Sequence, residues 1–363
     1  MALVAQAVPG GRSGLFLIFS RRLRAMTEEY HIVPLDLRYP DERVRLKRFL
    51  AQQGLTFESD IQAAFGIVNE SEELVACGCA AGSLLKCFAV KPELRGQNAL
   101  GLLVSQLVQE RFARGIYRLF IITRTKNLTL FAHCGFTPVA ETEALVLLEN
   151  SADGPQRFTA PLFVPGDENK TIGCLVMNCN PFTLGHRALV EYAAGRCDAV
   201  HLFVVEEDRS VFSTPVRLRL VQEGTADLPN VRIHLSGPYM ISASTFPTYF
   251  LKEGEDAAQL QSELDLTLFA RQIAPPLHIT KRFAGAEPLD PVTAAYNRAM
   301  GRLLPQYGIQ FCEIPRAEQG DAPISASRVR ALLQEKGVCR EVLSLVPETT
   351  ARYLKETFCR QPI

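Results

Sequence analysis

The sequence predicts an α/β protein with two domains, an α+β first half and a doubly wound parallel-sheet (Rossmann-like) second half. Three observations support this fold class. The chain has 363 residues, enough for about two domains that each bury a core. After residue 168, apolar strand-like runs alternate with helix-like segments, as in a parallel sheet with helices on both faces. Two of the turns in this half each follow an apolar run and open a helix, around residues 180–186 and 324–330.

Residues 1–29 are predicted to be a variable or disordered N-terminal extension. The apolar run at 15–19 is too short to span a membrane. Arginines follow this run, whereas in a signal peptide basic residues precede it. Translation from Met1 and translation from Met26 both stay open.

Residues 30–150 are predicted to form the first domain. Two apolar runs, 74–79 and 84–90, read as adjacent strands joined by a turn at Ala81 and Gly82. A loop at 91–101 leads into a helix with the apolar positions Leu102, Leu103, Leu107 and Phe112. A strand at 117–123 and a short helix at 127–134 complete this domain.

A linker rich in turn-forming residues, from 150–155 through 165–167, separates the halves. The second domain is predicted at 168–345, with a C-terminal helix or tail at 346–363. Its five candidate strands are 172–177, 200–205, 231–235, 279–283 and 311–314. In such a sheet, ligands bind in the crevice at the carboxyl ends of the strands.

Composition narrows the function classes. The 39 basic and 39 acidic residues cancel, so no charge excess points to nucleic acid or a membrane surface as a partner. The ten cysteines show neither C-x-x-C nor a Cys/His spacing typical of zinc, and no metal ligands are predicted. Cys77 and Cys79 lie in an apolar run and are interpreted as buried thiols. The chain is therefore expected in a reducing, cytoplasmic compartment.

The run at 180–186 reads NPFTLGH and has the features of a polyphosphate site. Backbone N–H groups and the positive end of a helix dipole would face the anion, and Gly185 would let phosphates approach the backbone. The plainer alternative is a capped helix with His186 on its surface. A second run, 324–330, reads ISASRVR and also opens a helix. Two such motifs in order are harder to explain by chance. They resemble the T-x-G-H and I-S-x-S-x-x-R pair of the nucleotidyltransferase superfamily. Members of this superfamily catalyse attack on the α-phosphate of ATP, with release of pyrophosphate.

The first half resembles the GNAT acetyltransferase fold, in which an R-G-x-G-x-G loop holds the pyrophosphate of coenzyme A. Asn98 and Leu100 depart from that pattern, and Leu100 adds bulk where phosphate would approach. Asn98 tolerates a left-handed backbone. No general base is evident, so this half is not expected to transfer acetyl groups from acetyl-coenzyme A. The residues expected to dock a coenzyme A-like arm are Arg95, Gly96, Gln97 and Asn98.

From about residue 30 onward the chain resembles the citrate lyase ligase family. The resemblance rests on residues 171–186, 201–208, 245–252, 282–288 with 296–297, and 324–330. It implies that ATP and acetate form acetyl-adenylate and pyrophosphate. The thiol of a phosphoribosyl-dephospho-coenzyme A arm on the acyl carrier (gamma) subunit of citrate lyase then takes the acetyl group, AMP leaves and the lyase becomes active. Mg²⁺ is expected through the phosphate oxygens of ATP.

The resemblance also implies site residues. Thr183 and His186 are expected to be catalytic, contacting the α- and β-phosphates. Further ATP-binding residues are expected at Asn180, Pro181, Phe182, Gly185, Ser325, Ser327, Arg330 and Arg209. Arg209 would replace a lysine that many members of the superfamily carry after the second strand. Candidate residues of the acetate or adenine pocket are Asp208, Lys252, Glu287 and Tyr296.

Two other functions stay open at this point. The chain could be an adenylyltransferase that joins a mononucleotide phosphate to AMP and forms a dinucleotide-type product. It could also be a non-catalytic module that binds a coenzyme A-like ligand and ATP. Dependence of ATP–pyrophosphate exchange on acetate distinguishes the three.

Overall fold

The computed structural model describes residues 29–206, 210–240, 246–287, 290–320 and 322–358. Apart from Glu29, the predicted N-terminal extension lies outside these residues, as does the question of Met1 or Met26. Among the residues described, no helix is both long and apolar enough to cross a membrane.

The first sheet has seven strands. They are β1 (Tyr30–Pro34), β2 (Ala63–Asn69), β3 (Leu74–Ala81), β4 (Leu84–Val90), β5 (Phe120–Arg124), β6 (Thr137–Glu141) and β7 (Leu145–Glu149). Their order in the sheet is β1-β2-β3-β4-β5-β7-β6. Neighbours from β1 to β4 are antiparallel, as are β6 and β7, whereas β4 and β5 pair in parallel at Leu84 and Phe120. This mixed sheet confirms the predicted α+β class of the first half.

Three helices belong to this part of the chain, namely α1 (Pro40–Gln52), α2 (Ala99–Ala113) and α3 (Leu128–Ala132). Helix α2 begins after Asn98, whose φ of +62° confirms that this residue takes the left-handed conformation. The predicted apolar face of α2 is confirmed at Leu102, Leu103 and Leu107, which are buried. It is wrong at Phe112, which is 37% exposed near the end of the helix, with its ring against Tyr117.

The second sheet is parallel throughout and has five strands. They are β8 (Ile172–Met177), β9 (Ala199–Val204), β10 (Val231–Leu235), β11 (Ile279–Gly285) and β12 (Gln310–Ile314). Their order is β10-β9-β8-β11-β12. The first strand of this sheet along the chain, β8, is the central one, and the direction in which strands are added reverses between β8 and β11. This order confirms the predicted doubly wound sheet. A ligand crevice is expected at the carboxyl ends of these two strands.

Eight helices accompany the second sheet in the part of the chain that is described. They are α4 (Gly154–Thr159), α5 (Leu184–Ala194), α6 (Thr214–Gly224), α7 (Ala257–Leu268), α8 (Pro291–Leu303), α9 (Ala326–Lys336), α10 (Arg340–Leu343) and α11 (Glu348–Phe358). A short hairpin, β13 (Glu318–Gln319) and β14 (Ala322–Pro323), precedes α9. Helices α5 and α6 share one apolar core with β8 and β9, in which Leu175, Val190 and Leu220 are fully buried.

The chain divides into two compact units. One comprises the described residues up to Ile122, Thr129–Phe136 and Pro247–Lys252, and the other comprises the remainder. The segment Pro247–Lys252 lies far along the chain from the rest of its unit, and the sequence did not predict this. The domain boundaries drawn from the sequence at 30–150, 168–345 and 346–363 stay predictions.

The segment Pro247–Lys252 is bound tightly within its unit. The Thr248 backbone N–H and hydroxyl donate to one carboxylate oxygen of Glu58, at 2.7 and 3.0 Å. The other oxygen of Glu58 accepts from Lys86 Nζ at 2.8 Å, and Lys86 is itself buried. Tyr249 is only 4% exposed, and its carbonyl accepts from the Thr56 N–H at 2.9 Å.

Candidate active site

The first motif forms a reciprocal helix cap directly after β8. Thr183 is the N-cap of α5, and its hydroxyl accepts from the His186 backbone N–H at 3.3 Å. In return, the Thr183 backbone N–H donates to His186 Nδ1 at 3.1 Å. The imidazole thus occupies the place that Glu or Gln holds in an ordinary capping box. The cap fixes the ring of His186 against the turn, and the Phe182 ring stacks on it with centroids 5.9 Å apart.

His186 is held as a neutral imidazole. Its pKa is lowered to about 4, mainly by burial and also by the positive charges of Arg316 and Arg330. Since Nδ1 accepts from Thr183, the proton of the neutral ring resides on Nε2. The side chain can therefore donate one hydrogen bond from Nε2 to an anion near neutral pH.

Gly185 brings the two motifs into contact. A Cβ added at Gly185 would lie 2.6 Å from the carbonyl oxygen of Ile324, the first residue of the second motif. Real Cβ atoms do not approach a backbone oxygen so closely, so any larger residue would push the motifs apart. The sequence predicted that Gly185 allows a nucleotide to approach, and the structure adds that it allows the second motif to approach.

The second motif caps α9 and turns back to the first. The Ser325 hydroxyl accepts from the Arg328 backbone N–H at 3.1 Å, so Ser325 is the N-cap of this helix. Ser327 lies one residue inside the helix, is exposed, and accepts from Arg330 Nη2 at 3.2 Å. Arg330 also donates from Nη1 to the Asn180 carbonyl at 2.6 Å. Arg330 is therefore a bridge between the motifs as well as a candidate phosphate ligand.

Asn180 and Pro181 shape the turn. Asn180 is buried, and its side-chain oxygen accepts from the Phe212 N–H at 3.0 Å. The Asn180–Pro181 peptide is cis. The Asn180 side chain thus supports the turn from inside the protein.

Arg217, in α6, is a supporting residue that the sequence did not reveal. It is fully buried and donates to the carbonyl oxygens of Phe212, Asn178 and Val205, at 3.0, 2.6 and 2.7 Å. Asn178 follows β8, Val205 follows β9 and Phe212 precedes α6. One guanidinium therefore joins the loops that border the crevice. The available signal was a charged residue between the apolar positions of α6.

Arg316 is a second residue that the sequence did not reveal. It follows β12, donates from Nε to the Ala286 carbonyl at 2.8 Å, and forms an ion pair with Glu287. Both side chains line a cavity of about 500 Å³ that also contains Arg298 and Glu313. Glu287, predicted for the acetate or adenine pocket, therefore lies in a cavity at the carboxyl ends of β11 and β12.

The remaining predicted residues make other contacts, belong to the other unit or are not described. The Tyr296 hydroxyl donates to Asp265 and thereby ties α8 to α7. Lys252 is exposed and belongs to the first unit. Arg95, Gly96, Gln97 and Asn98 are exposed before α2, also in the first unit. Asp208 and Arg209 lie outside the described residues. Within the described ranges, no three His, Cys, Asp or Glu side chains are grouped so that they could hold a metal ion.

Comparisons with known proteins agree with the motifs. Residues 172–354 match the family model of the citrate lyase ligase C-terminal domain. The citrate (pro-3S)-lyase ligase of Klebsiella pneumoniae is 41% identical, over 86% of this chain and 93% of its own length.

Two solved structures resemble parts of the chain. Glucosamine-6-phosphate N-acetyltransferase from Arabidopsis thaliana is 16% identical over 30% of this chain and 92% of its own, with a TM-score of 0.26. Thermotoga maritima TmcAL, solved with alpha-thio ATP, is 15% identical over 51% of this chain and 55% of its own, with a TM-score of 0.33. The extent and identity of the match to the curated ligase, together with the family model, decide the assignment: this chain belongs to the citrate lyase ligase family.

Proposed function

We propose that this protein uses ATP and acetate to acetylate the phosphoribosyl-dephospho-coenzyme A group on the acyl carrier subunit of citrate lyase. The observation that carries the proposal is the packing of the two motifs against each other through Gly185 and Ile324, in a chain of the citrate lyase ligase family. Each motif ends in a residue that can bind phosphate, His186 in the first and Arg330 in the second. They lie in the half of the chain that has the doubly wound sheet.

In the first step, an acetate oxygen attacks the α-phosphorus of ATP, and the bond to the β-phosphate oxygen breaks. Acetyl-adenylate and pyrophosphate result. His186 Nε2–H donates to the negative charge that builds on the phosphates, while Thr183 holds the ring in place. No protein nucleophile is required, because the acid itself attacks, and alignment and charge stabilisation supply the catalysis.

The second motif is proposed to hold the departing pyrophosphate. Ser327 is exposed at the N-terminus of α9, where backbone N–H groups and the helix dipole favour an anion. Arg330 reaches the same place from the next turn of the helix. ATP is expected to arrive as its magnesium complex, with Mg²⁺ bound by phosphate oxygens, as is usual for this ion.

In the second step, the thiol of the carrier arm attacks the acetyl carbonyl, a thioester forms, and AMP and a proton leave. We assign the docking of the arm to Arg95, Gly96, Gln97 and Asn98. The left-handed Asn98 keeps the backbone of this loop in the shape that glycine would give it. The free thiols of Cys77, Cys79 and Cys174 fit a reducing, cytoplasmic setting.

The test is acetate-dependent exchange of labelled pyrophosphate into ATP. His186→Ala should lower the exchange rate by about 10²- to 10³-fold, the cost of losing a donor to a charged transition state. ATP binding should weaken much less. His133→Ala is the matched control, because His133 is an exposed histidine of the first unit.

The same assay separates the alternative functions. A dinucleotide-forming enzyme would need a mononucleotide in place of acetate, and a binding module would show no exchange. Retention of more than half of the wild-type exchange by His186→Ala would refute the role given to this residue.

A further inference from the structure

The position of Arg316 ties it to both motifs. The carbonyl of its neighbour Ala317 accepts from the Ile324 N–H at 2.9 Å. The Ile324 carbonyl in turn lies against Gly185. Two short contacts thus connect the backbone beside Arg316 to the turn that holds His186.

Glu287 is a nearly buried partner for this arginine. Its side chain is 8% exposed and that of Arg316 is 26% exposed. One carboxylate oxygen accepts from Arg316 Nη2, and the other accepts from the Asp290 N–H at 3.3 Å. A guanidinium that binds one carboxylate in this way also has the planar geometry that suits a phosphate group.

The charge of Arg316 reaches the catalytic histidine. After burial, Arg316 is the larger of the two positive charges that lower the pKa of His186, ahead of Arg330. This electrostatic coupling agrees with the backbone contacts, which lead from Ala317, next to Arg316, through Ile324 to Gly185.

We propose that Arg316 binds the polyphosphate chain of ATP, and that Glu287 is an internal anion that holds Arg316 until ATP displaces it. This inference rests on the ATP site of the proposed function. It adds Arg316 as a residue that binds phosphate and Glu287 as the anion that competes with ATP for Arg316. Two anions then compete for one guanidinium, so the carboxylate of Glu287 opposes ATP binding. A purely structural ion pair would have no such effect.

The decisive variant is Glu287→Gln, which keeps the shape and an acceptor oxygen but removes the competing charge. ATP should bind about three- to tenfold more tightly, as expected for loss of one partly buried charge–charge contact. The dissociation constant is measured by calorimetry. Adenosine, measured as a competitor of exchange, has no phosphate and should bind this variant and the wild type alike.

Three further variants complete the experiment. Arg316→Gln should weaken ATP binding about 10- to 100-fold, the range for charged hydrogen bonds. The double variant should match Arg316→Gln, because in this proposal the charge of Glu287 opposes ATP by holding Arg316. Glu263→Gln is the control for general loss of negative charge, since Glu263 pairs with Arg302 on α8 at 2.9 Å, and it should leave ATP affinity unchanged.

Unchanged or weaker ATP binding by Glu287→Gln would overturn the inference, and so would an equal gain for adenosine. A wild-type protein that fails to bind ATP would instead contradict the proposed function. Thermal unfolding of each variant shows whether it is folded under the conditions of the titration.

Discussion

Replacing Gly185 with alanine tests whether contact between the two motifs governs activity. The new methyl group would meet the carbonyl oxygen of Ile324 at 2.6 Å, and this oxygen belongs to the backbone, so no side-chain rotation relieves the clash. An unstrained carbon–oxygen contact is about 3.5 Å, so the motifs must separate by about 1 Å.

The expected loss is mainly kinetic. A displacement of about 1 Å between groups that align a reaction can cost about 100-fold in rate. Crowding costs about 1–3 kcal/mol of stability. The better helix propensity of alanine offsets about 1 kcal/mol of that. We therefore expect kcat for exchange to fall about 100-fold, while the free energy of unfolding falls by no more than about 2 kcal/mol.

Gly195→Ala is the matched control on the same helix. Gly195 is the C-cap of α5 with φ −73° and ψ −4°, which alanine adopts without strain. Its added Cβ would lie 3.4 Å from the Glu191 carbonyl oxygen, an ordinary contact. Exchange by this variant should stay within about twofold of wild type.

The assay is acetate-dependent ATP–pyrophosphate exchange at saturating substrates, with urea unfolding run on the same samples. Gly185→Ala activity within threefold of wild type would refute the argument that motif spacing limits the rate. A loss of activity that merely follows global unfolding would refute it as well.

Arg330→Ala should weaken ATP binding by about 1.5–3 kcal/mol, the range for charged hydrogen bonds; AMP binding, measured alongside, should change little, and equal weakening of both would indicate the structural bridge alone. Burial lowers the pKa of His201 to about 3 and that of His234 to about 4, and a hydrogen bond of 2.9 Å connects His201 Nδ1 and His234 Nε2. As the pH falls, both histidines bind a proton at higher pH in the unfolded chain than in the folded protein. The free energy of unfolding should therefore fall as pH drops from about 6.5 to about 4, by up to about 1.4 kcal/mol per pH unit for each imidazole. Urea titrations should show this slope flattened in a variant with Asn at both positions, and an unchanged slope would contradict the assignment. Arg95→Ala should leave exchange intact and slow acetyl transfer to the carrier subunit several-fold; unchanged transfer would argue against docking by this loop.

The sequence predicted those features that depend on local pattern. Strand Ile172–Met177 begins and ends where its apolar run does, because a buried parallel strand reads as a continuous apolar segment. Strand Val231–Leu235 also has its predicted bounds, although it lies at the edge of the sheet and alternates apolar with polar residues. The two motifs were predicted to open helices, and both helices begin there, capped by Thr183 and Ser325, since a cap needs only a few neighbouring residues.

The features that escaped prediction depend on contacts between distant residues. Most contacts of Arg217 and Arg316 are with carbonyls and a carboxylate 5 to 39 residues away, so the neighbouring sequence says little about their role. Phe112 is exposed near the end of α2, and its ring lies against Tyr117. Helical periodicity gives the direction of a side chain but not the extent of the surface beneath it.

The segment Pro247–Lys252 has a consequence for how this gene can be rearranged. Because Thr248 and Tyr249 bond to Glu58 and Thr56, a fragment that ends at the linker near residue 155 would lack part of its own interior. A fragment that begins after the linker would carry Tyr249 without the surface that buries it. Chimaeras between relatives should therefore exchange residues 247–252 together with the front half, and a gene split at the linker should encode fragments that are stable only when co-expressed.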